Sequence, residues 1–155
     1  MALASSLQDV ARYREAGEML EGALRFMPAS AQRLVLRQLG SLAEAESNGN
    51  AAEQWYRQAI AASPLDATSY IYLGAMYAKA GRLEDAEAVH RDATGCIEGC
   101  LDEAYFNLGL VLRAQGRYLE ALDAFREAAR RDPLDHETQV ALEDMEQVLF
   151  RFPEA

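Results

Sequence analysis

Three side chains in one short stretch of this sequence are of the types that bind zinc: His90, Cys96 and Cys100. Imidazole and thiolate are common zinc ligands in proteins. The spacing of the two cysteines, Cys-x3-Cys, matches neither a zinc ribbon nor a dithiol redox motif. We therefore expect no metal here. His90 is predicted to be a core histidine, Cys96 to replace a larger apolar residue, and Cys100 to lie in a joint between helices.

No other set of residues has the pattern of a catalytic site. An enzyme needs a nucleophile, a base or a metal site that converge in one place. The second histidine, His136, is expected at solvated surface. The acidic clusters Glu84, Asp85, Glu87 and Glu143, Asp144, Glu146 lie in amphipathic helical patterns, which favours a solvated face. The sequence predicts no catalytic residue and no cofactor, so we expect the protein not to be an enzyme.

Composition and charge narrow the classes of function further. Half of the 155 residues are apolar, and helix-favouring residues outnumber β-branched ones. The net charge of −10 repels phosphate backbones, so we expect no nucleic acid partner. No segment approaches the roughly 18 apolar residues of a membrane span, and the first residues, MALASSLQDV, show no secretory signal. We expect no membrane partner and a cytoplasmic location.

An internal repeat sets the elements that would position any functional residue. A Leu-Gly pair recurs roughly every 34 residues and is followed each time, at matching offsets, by an alanine, a ring-bearing residue and a second alanine. Each copy therefore reads as the same pair of helices. The matching residues are Leu39, Gly40, Ala52, Tyr56 and Ala59 in the first copy, Leu73, Gly74, Ala86, His90 and Ala93 in the second, and Leu108, Gly109, Ala121, Phe125 and Ala128 in the third.

Glycine and proline mark the ends of the predicted helices. Gly81, Gly116 and the stretch SNGN at 47–50 separate the first helix of each copy from the second, and glycine suits the left-handed conformation that ends a helix. Pro64 and Pro133 then stop the second helices, because proline cannot continue the internal hydrogen-bond ladder.

These positions together resemble the tetratricopeptide repeat (TPR) signature, W/Y/L-x2-L-G-x2-Y…A-x3-F/Y-x2-A…P. The resemblance covers about Arg33 to Pro133. It implies an all-α fold, a right-handed superhelical TPR solenoid of antiparallel helix pairs. The first helices are predicted at about 33–46, 67–80 and 102–115, and the second helices at about 51–62, 83–93 and 118–131.

Residues 1–155 are expected to form a single TPR domain. Tyr13–Pro28 resembles another second helix, and Leu3, Ala4 and Leu7 are interpreted as the remains of its first helix. The chain would then begin part-way through a repeat, either a degenerate cap or a piece of a longer array. The predicted parts are a partial N-terminal repeat at 1–30, repeats at 33–66, 67–101 and 102–135, and a C-terminal capping helix at 136–152.

Three glycines stand inside the predicted first helices, where glycine costs about 1 kcal/mol relative to alanine. These are Gly40, Gly74 and Gly109. A missing side chain must permit a close approach there. We expect the alanines of the second helices, Ala52, Ala86 and Ala121, to lie opposite them.

The resemblance also implies a concave groove, lined by the first helices, that holds a peptide. The function that follows is a non-catalytic scaffold binding a peptide or a protein segment. A self-associating segment of a homo-oligomer or longer array is the alternative. Helical spacing predicts the lining of this groove: Arg37, Ser41, Ile71, Tyr72, Ala75, Lys79, Phe106, Asn107, Leu110 and Arg113.

One known use of TPR grooves is to grip the C-terminal carboxylate of large heat-shock chaperones with basic and asparagine residues. Here Ser41, Tyr72 and Glu103 stand where Asn, Asn and Lys would be expected. The resemblance therefore does not extend to this carboxylate clamp.

Overall fold

The computed structural model describes the backbone of residues 2–151 and the side chains of residues 12–28 and 31–151. Within this range the chain forms eight α-helices and no β-strand; a single isolated bridge joins Asp66 to Glu98. The helices are α1 (Ala2–Leu24), α2 (Ala29–Ala45), α3 (Gly49–Ala62), α4 (Ala67–Lys79), α5 (Leu83–Thr94), α6 (Leu101–Ala114), α7 (Tyr118–Arg131) and α8 (His136–Arg151).

The all-α prediction is confirmed, and the predicted helices agree with the observed ones within a few residues. The prediction for the start of the chain is wrong in one respect. Leu3, Ala4 and Leu7 do not belong to a separate first helix, because the backbone of residues 2–24 is one continuous helix. No glycine or proline interrupts residues 2–16, so nothing in this stretch ends a helix.

The chain divides into two compact units, residues 1–64 and 65–155. In the first unit, α2 packs against α3, and α1 lies against α2. The buried ring of Tyr56 on α3 anchors this pair, since its hydroxyl donates to Glu44 Oε1 at 2.6 Å and lies 3.2 Å from Ser41 Oγ.

The second unit contains two helix pairs and a further helix. Helix α4 packs against α5 and α6 against α7, α5 also contacts α6, and α8 lies on α7. A cluster of buried apolar side chains joins α6, α7 and α8. Its buried members are Leu108, Leu112, Ala121, Leu122, Ala124, Phe125, Ala141 and Met145.

The three glycines inside the first helices lie directly against rings. A Cβ on Gly74 would stand 2.5 Å from His90 Cε1, and one on Gly109 would stand 2.6 Å from Phe125 Cε1; Gly40 meets Tyr56 in the same way. The predicted close approach is therefore present, but the partner was wrong. The nearest atoms belong to the rings and not to Ala52, Ala86 or Ala121, because the ring is the larger group and reaches across the helix pair first.

Left-handed residues end the first helices. Gly81 and Gly116 have φ of 73° and 77°, and the N–H of the following arginine donates to a carbonyl in the last turn, from Arg82 to Tyr77 and from Arg117 to Leu112. In the first unit Ser47 takes this conformation instead, with φ of 58°, and Gly49 is already the first residue of α3.

The joint between α5 and α6 lacks the expected proline and is held by backbone hydrogen bonds instead. The N–H groups of Ile97 and Glu98 both donate to the Leu65 carbonyl, and the Ala67 N–H donates to the Glu98 carbonyl. Gly99, with φ of 86°, allows this approach, because a Cβ there would collide with the Asp66 carboxylate. The joint thereby fixes the start of α4.

His90 is a buried core residue with 1% of its surface exposed, as the sequence predicts. Its Nδ1 has no hydrogen-bond partner among the described residues. Burial lowers the pKa of His90 to about 4. The neutral imidazole therefore fills the place that Tyr56 and Phe125 fill in the other pairs.

Substituting alanine for one of these packed glycines is expected to destabilise the fold by about 1–3 kcal/mol, the usual cost of overpacking. Gly109→Ala places its Cβ 2.6 Å from the Phe125 ring. Gly22→Ala in α1 is the matched control, since nothing lies within 4 Å of its Cβ, and there alanine should stabilise the helix slightly. Urea unfolding measures both, and equal effects on stability would contradict the packing.

Stability should also fall as the pH decreases from about 6.5 to 4, because the unfolded chain protonates His90 in this interval and the folded chain does not. The expected loss at pH 5 is about 2 kcal/mol relative to pH 7.5. Some carboxylates also lose favourable interactions in acid. The pH dependence of the unfolding free energy of the wild type is therefore compared with that of His90→Phe. That variant should show a shallower pH dependence, and an identical slope would exclude His90 as the cause.

Candidate peptide-binding surface

Eight of the predicted groove residues lie on two neighbouring helices of the second unit, and seven of them, all except Ile71, are at least partly exposed. On α4, Tyr72, Ala75 and Lys79 are three and four residues apart. On α6, Phe106 and Asn107 are adjacent, and Leu110 and Arg113 follow Asn107 at steps of three residues, so each set shares one helix face. Helices α4 and α6 contact each other directly. We call this surface the α4–α6 face; it consists of Tyr72, Ala75, Lys79, Phe106, Asn107, Leu110 and Arg113.

The α4–α6 face is mostly half-buried. Tyr72 exposes 43% of its surface and Lys79 is exposed, whereas Ala75, Phe106, Asn107, Leu110 and Arg113 are partly covered. The face therefore presents aromatic and aliphatic surface between polar groups. Such a surface can bury an apolar side chain and also pair with the backbone of an extended segment.

Ile71 does not belong to this surface. It is 4% exposed and packs in a buried cluster with Ala67, Ala93, Cys96 and Ala104, which joins α4 and α6 to the end of α5. Its side chain is a structural contact between helices and cannot cover a ligand. The expectation that Ile71 lines the groove is corrected for this reason.

Two predicted groove residues belong to the first unit. Arg37 is half-buried on α2, and Ser41 is exposed there. The Ser41 hydroxyl already shares a hydrogen bond with the Tyr56 hydroxyl, which in turn donates to Glu44. Ser41 thus supports the α2–α3 packing of its own unit.

The position of Phe106 is set by the helix pair beneath it. Its ring packs against that of Phe125, with centroids 5.7 Å apart and ring planes tilted by 52°. Phe125 in turn rests on Gly109. The aromatic centre of the α4–α6 face is therefore held by the same glycine contact that joins α6 to α7.

A cavity of about 340 Å³ adjoins this face and was not predicted from the sequence. It lies between the first turns of α6 and α8, and we call it the α6–α8 cavity. Its residues come from two stretches that are distant in the chain, so no local sequence motif predicts it. They are Asp102, Glu103, Phe106, Asn107, Asp135, Glu137 and Thr138.

The carboxylates of the α6–α8 cavity differ in environment. Asp135 caps α8: it accepts hydrogen bonds from the Thr138 hydroxyl and, at 3.0 Å, from the Thr138 N–H, and these bonds lower its pKa. Glu103 is exposed along much of its length, yet burial and then the neighbouring charge of Asp102 raise its pKa. The residues that line the cavity thus include four carboxylates and no lysine or arginine.

On the face formed by the second helices, α5 and α7, the carboxylates are paired with arginines, unlike those of the α6–α8 cavity. Arg117 pairs with Glu87 at 2.7 Å and with Glu120 at 2.5 Å, and Arg91 contacts both carboxylates. Burial acts to raise the Glu87 pKa, but hydrogen bonds from the two arginines outweigh it and lower the pKa. These charges are satisfied within the protein and link one helix pair to the next.

Within the described residues, no group of three or more His, Cys, Asp or Glu side chains is arranged to hold a metal ion. His90 is enclosed in the core, while Cys100 is exposed. Helices long and apolar enough to cross a membrane are likewise absent from the described part of the chain.

Comparison with known proteins identifies the repeat. Models of the tetratricopeptide repeat match residues 102–135 and 55–88. Human tetratricopeptide repeat protein 7A is 36% identical over 112 residues, which is 72% of this chain. The matched region spans only 13% of the length of that relative.

Solved structures show the same fold at lower sequence identity. PilF from Pseudomonas aeruginosa is 20% identical with a TM-score of 0.73, covering 99% of this chain and 67% of that one. The second TPR domain of human RPAP3, in complex with the HSP70 peptide SGPTIEEVD, is 20% identical with a TM-score of 0.65, covering 77% of this chain and 98% of that one. With its paired helices, its glycine–ring contacts and these matches, the chain belongs to the tetratricopeptide repeat family.

Proposed function

We propose that the protein is a non-catalytic interaction module and that its α4–α6 face binds an extended segment of a partner protein. The observation that carries the proposal is the arrangement of Tyr72, Phe106 and Leu110, whose apolar surface is partly open on a face held by core packing. The RPAP3 domain with its bound peptide supports peptide binding as a use of this fold.

The physical advantage of this face is that it is already formed before the partner arrives. Phe106 rests on Phe125, and Leu110 packs against the cluster shared by α6, α7 and α8. A partner segment would then lose its own freedom on binding but would not need to order these side chains. The side-chain amide of Asn107 can donate a hydrogen bond from its NH2 group and accept one at its oxygen, which suits the N–H and C=O groups of an extended segment.

The charge of the face argues against an acidic C-terminal tail as the partner. Glu103 stands where the chaperone-binding TPR pattern has a lysine, and Tyr72 replaces an asparagine. A carboxylate at this end of the face would be repelled by Glu103 and Asp102. We therefore propose a partner segment other than the acidic type bound by the RPAP3 domain.

Selection of a random nine-residue peptide display library on the purified chain tests the proposal. Peptides that bind are expected to lose at least about tenfold in affinity on Tyr72→Ala combined with Leu110→Ala, since truncating a central interface anchor typically costs more than 1 kcal/mol. Leu119→Ala, at an exposed apolar residue of α7, is the control and should leave binding unchanged.

Circular dichroism of each variant verifies that it remains folded. Binders that tolerate the Tyr72/Leu110 substitutions would place the site elsewhere. A failure to select any binder would remove the support for a preformed peptide groove.

A second candidate function is self-association through α8, and one observation favours it. Leu134, Val140 and Phe150 expose 92%, 44% and 89% of their surfaces along this helix and the joint before it. Val148 and Leu149, by contrast, pack against the core cluster, and Phe152 lies outside the described residues. The candidate interface therefore consists of Leu134, Val140 and Phe150.

Light scattering over a range of concentrations tests self-association. If α8 forms an interface between copies, the wild-type mass should rise with concentration, and Phe150→Ser with Val140→Ser should abolish the rise. Leu119→Ser on α7 provides the control for general loss of apolar surface. A constant monomer mass for the wild type would exclude this alternative.

A further inference from the structure

We infer that the α6–α8 cavity receives a lysine or arginine side chain of the partner segment bound on the α4–α6 face. The inference rests on the proposed function above and adds the charge of the partner. The occupant of the cavity is then a basic side chain that belongs to an extended partner segment.

The carboxylates of the cavity form no ion pair within the described part of the protein. Asp102, Glu103, Asp135 and Glu137 line it, and none of the four forms an ion pair with a described residue. The acidic groups of the α5–α7 face differ, because Glu87, Glu120 and Glu127 are each paired with arginine. The cavity thus brings together four carboxylates that have no arginine or lysine partner among the described residues.

The cavity is more than an acidic patch, because an aromatic ring and an amide also line it. Phe106 presents apolar surface, over which a guanidinium or ammonium group is attracted by the ring. Asn107 adds a neutral hydrogen-bonding group, whereas the buried Thr138 hydroxyl already donates to Asp135. The volume of about 340 Å³ lies within the range of about 300–1,000 Å³ typical of ligand pockets.

The geometry favours an organic cation over a metal ion. The carboxylates are spread around the cavity and do not converge as a group that could hold a metal within the described residues. Metal ions need several oxygens at about 2.0–2.6 Å. A guanidinium group has five donors on a planar fork, and a lysine ammonium has three, so either can reach acceptors that lie apart.

The cavity is continuous with the α4–α6 face. Phe106 and Asn107 belong to both, so a segment lying on the face would carry one of its side chains past the opening. The charged residues of helix α6 are distributed unevenly: Asp102 and Glu103 lie in its first turn and Arg113 lies in its last. A partner with a basic residue at the cavity end would match this distribution.

The direct test is a titration of the uniformly ¹⁵N-labelled chain with n-butylguanidinium, a mimic of the arginine side chain, followed by amide NMR shifts at low salt. Shifts are expected at residues 102–107 and 135–138. Glu103→Gln with Glu137→Gln should weaken binding by about three- to tenfold, the sum expected for two partly exposed charge pairs.

Glu84→Gln with Glu143→Gln is the matched control, because it removes the same net charge from exposed positions outside the cavity. It should change the affinity by less than about twofold. Absent shifts, shifts spread over the whole surface, or equal weakening by both double variants would overturn the inference.

The displayed peptides separate this inference from the function on which it rests. Binders that depend on Tyr72 and Leu110 should be enriched in Lys or Arg, and the enrichment should disappear in the Glu103→Gln/Glu137→Gln variant. Binders without a basic preference would refute the cavity assignment and leave the proposed function intact. No binders at all would refute the proposed function, and this inference with it.

Discussion

The structure depends on the contact between a helical glycine and a ring from the next helix. Each of Gly40, Gly74 and Gly109 costs its helix about 1 kcal/mol relative to alanine. In return a ring from the paired helix reaches the backbone so closely that no Cβ would fit. The rings of Tyr56, His90 and Phe125 are each at most 1% exposed, so the contact is also the centre of each pair. A missing side chain thus determines how the two helices are spaced.

This contact reaches the proposed binding surface through one intermediate ring. Phe125 rests on Gly109 and supports Phe106, which lies on both the α4–α6 face and the α6–α8 cavity. The core and the binding surface are therefore parts of one packing arrangement. The charges differ between the two faces: arginines and glutamates neutralise each other between α5 and α7, whereas the carboxylates that line the α6–α8 cavity form no ion pair with a described residue.

Positions that recur in every repeat could be predicted from the sequence, because each repeat solves the same packing problem with the same residue types. The helices, the left-handed Gly81 and Gly116, and the core role of His90 were found in this way. Contacts between one repeat and the next could not be predicted from the sequence. Ile71 has the spacing of a groove residue, but Ala93 on α5, Cys96 in the following joint and Ala104 on α6 cover it. The α6–α8 cavity was missed for the same reason, since it needs the first turns of two helices that are distant in the chain.

The most direct measurement of the central claim is a set of nuclear Overhauser effects between glycine Hα protons and ring protons. The glycine–ring packing predicts strong effects for the pairs Gly40–Tyr56, Gly74–His90 and Gly109–Phe125, and none between a ring and Gly22, which has no neighbour within 4 Å of its Cβ position. If the three packed glycines gave no effects to these rings, or gave them to Ala52, Ala86 and Ala121 instead, the account of how the helices pair, and of what holds Phe106 in place, would be contradicted.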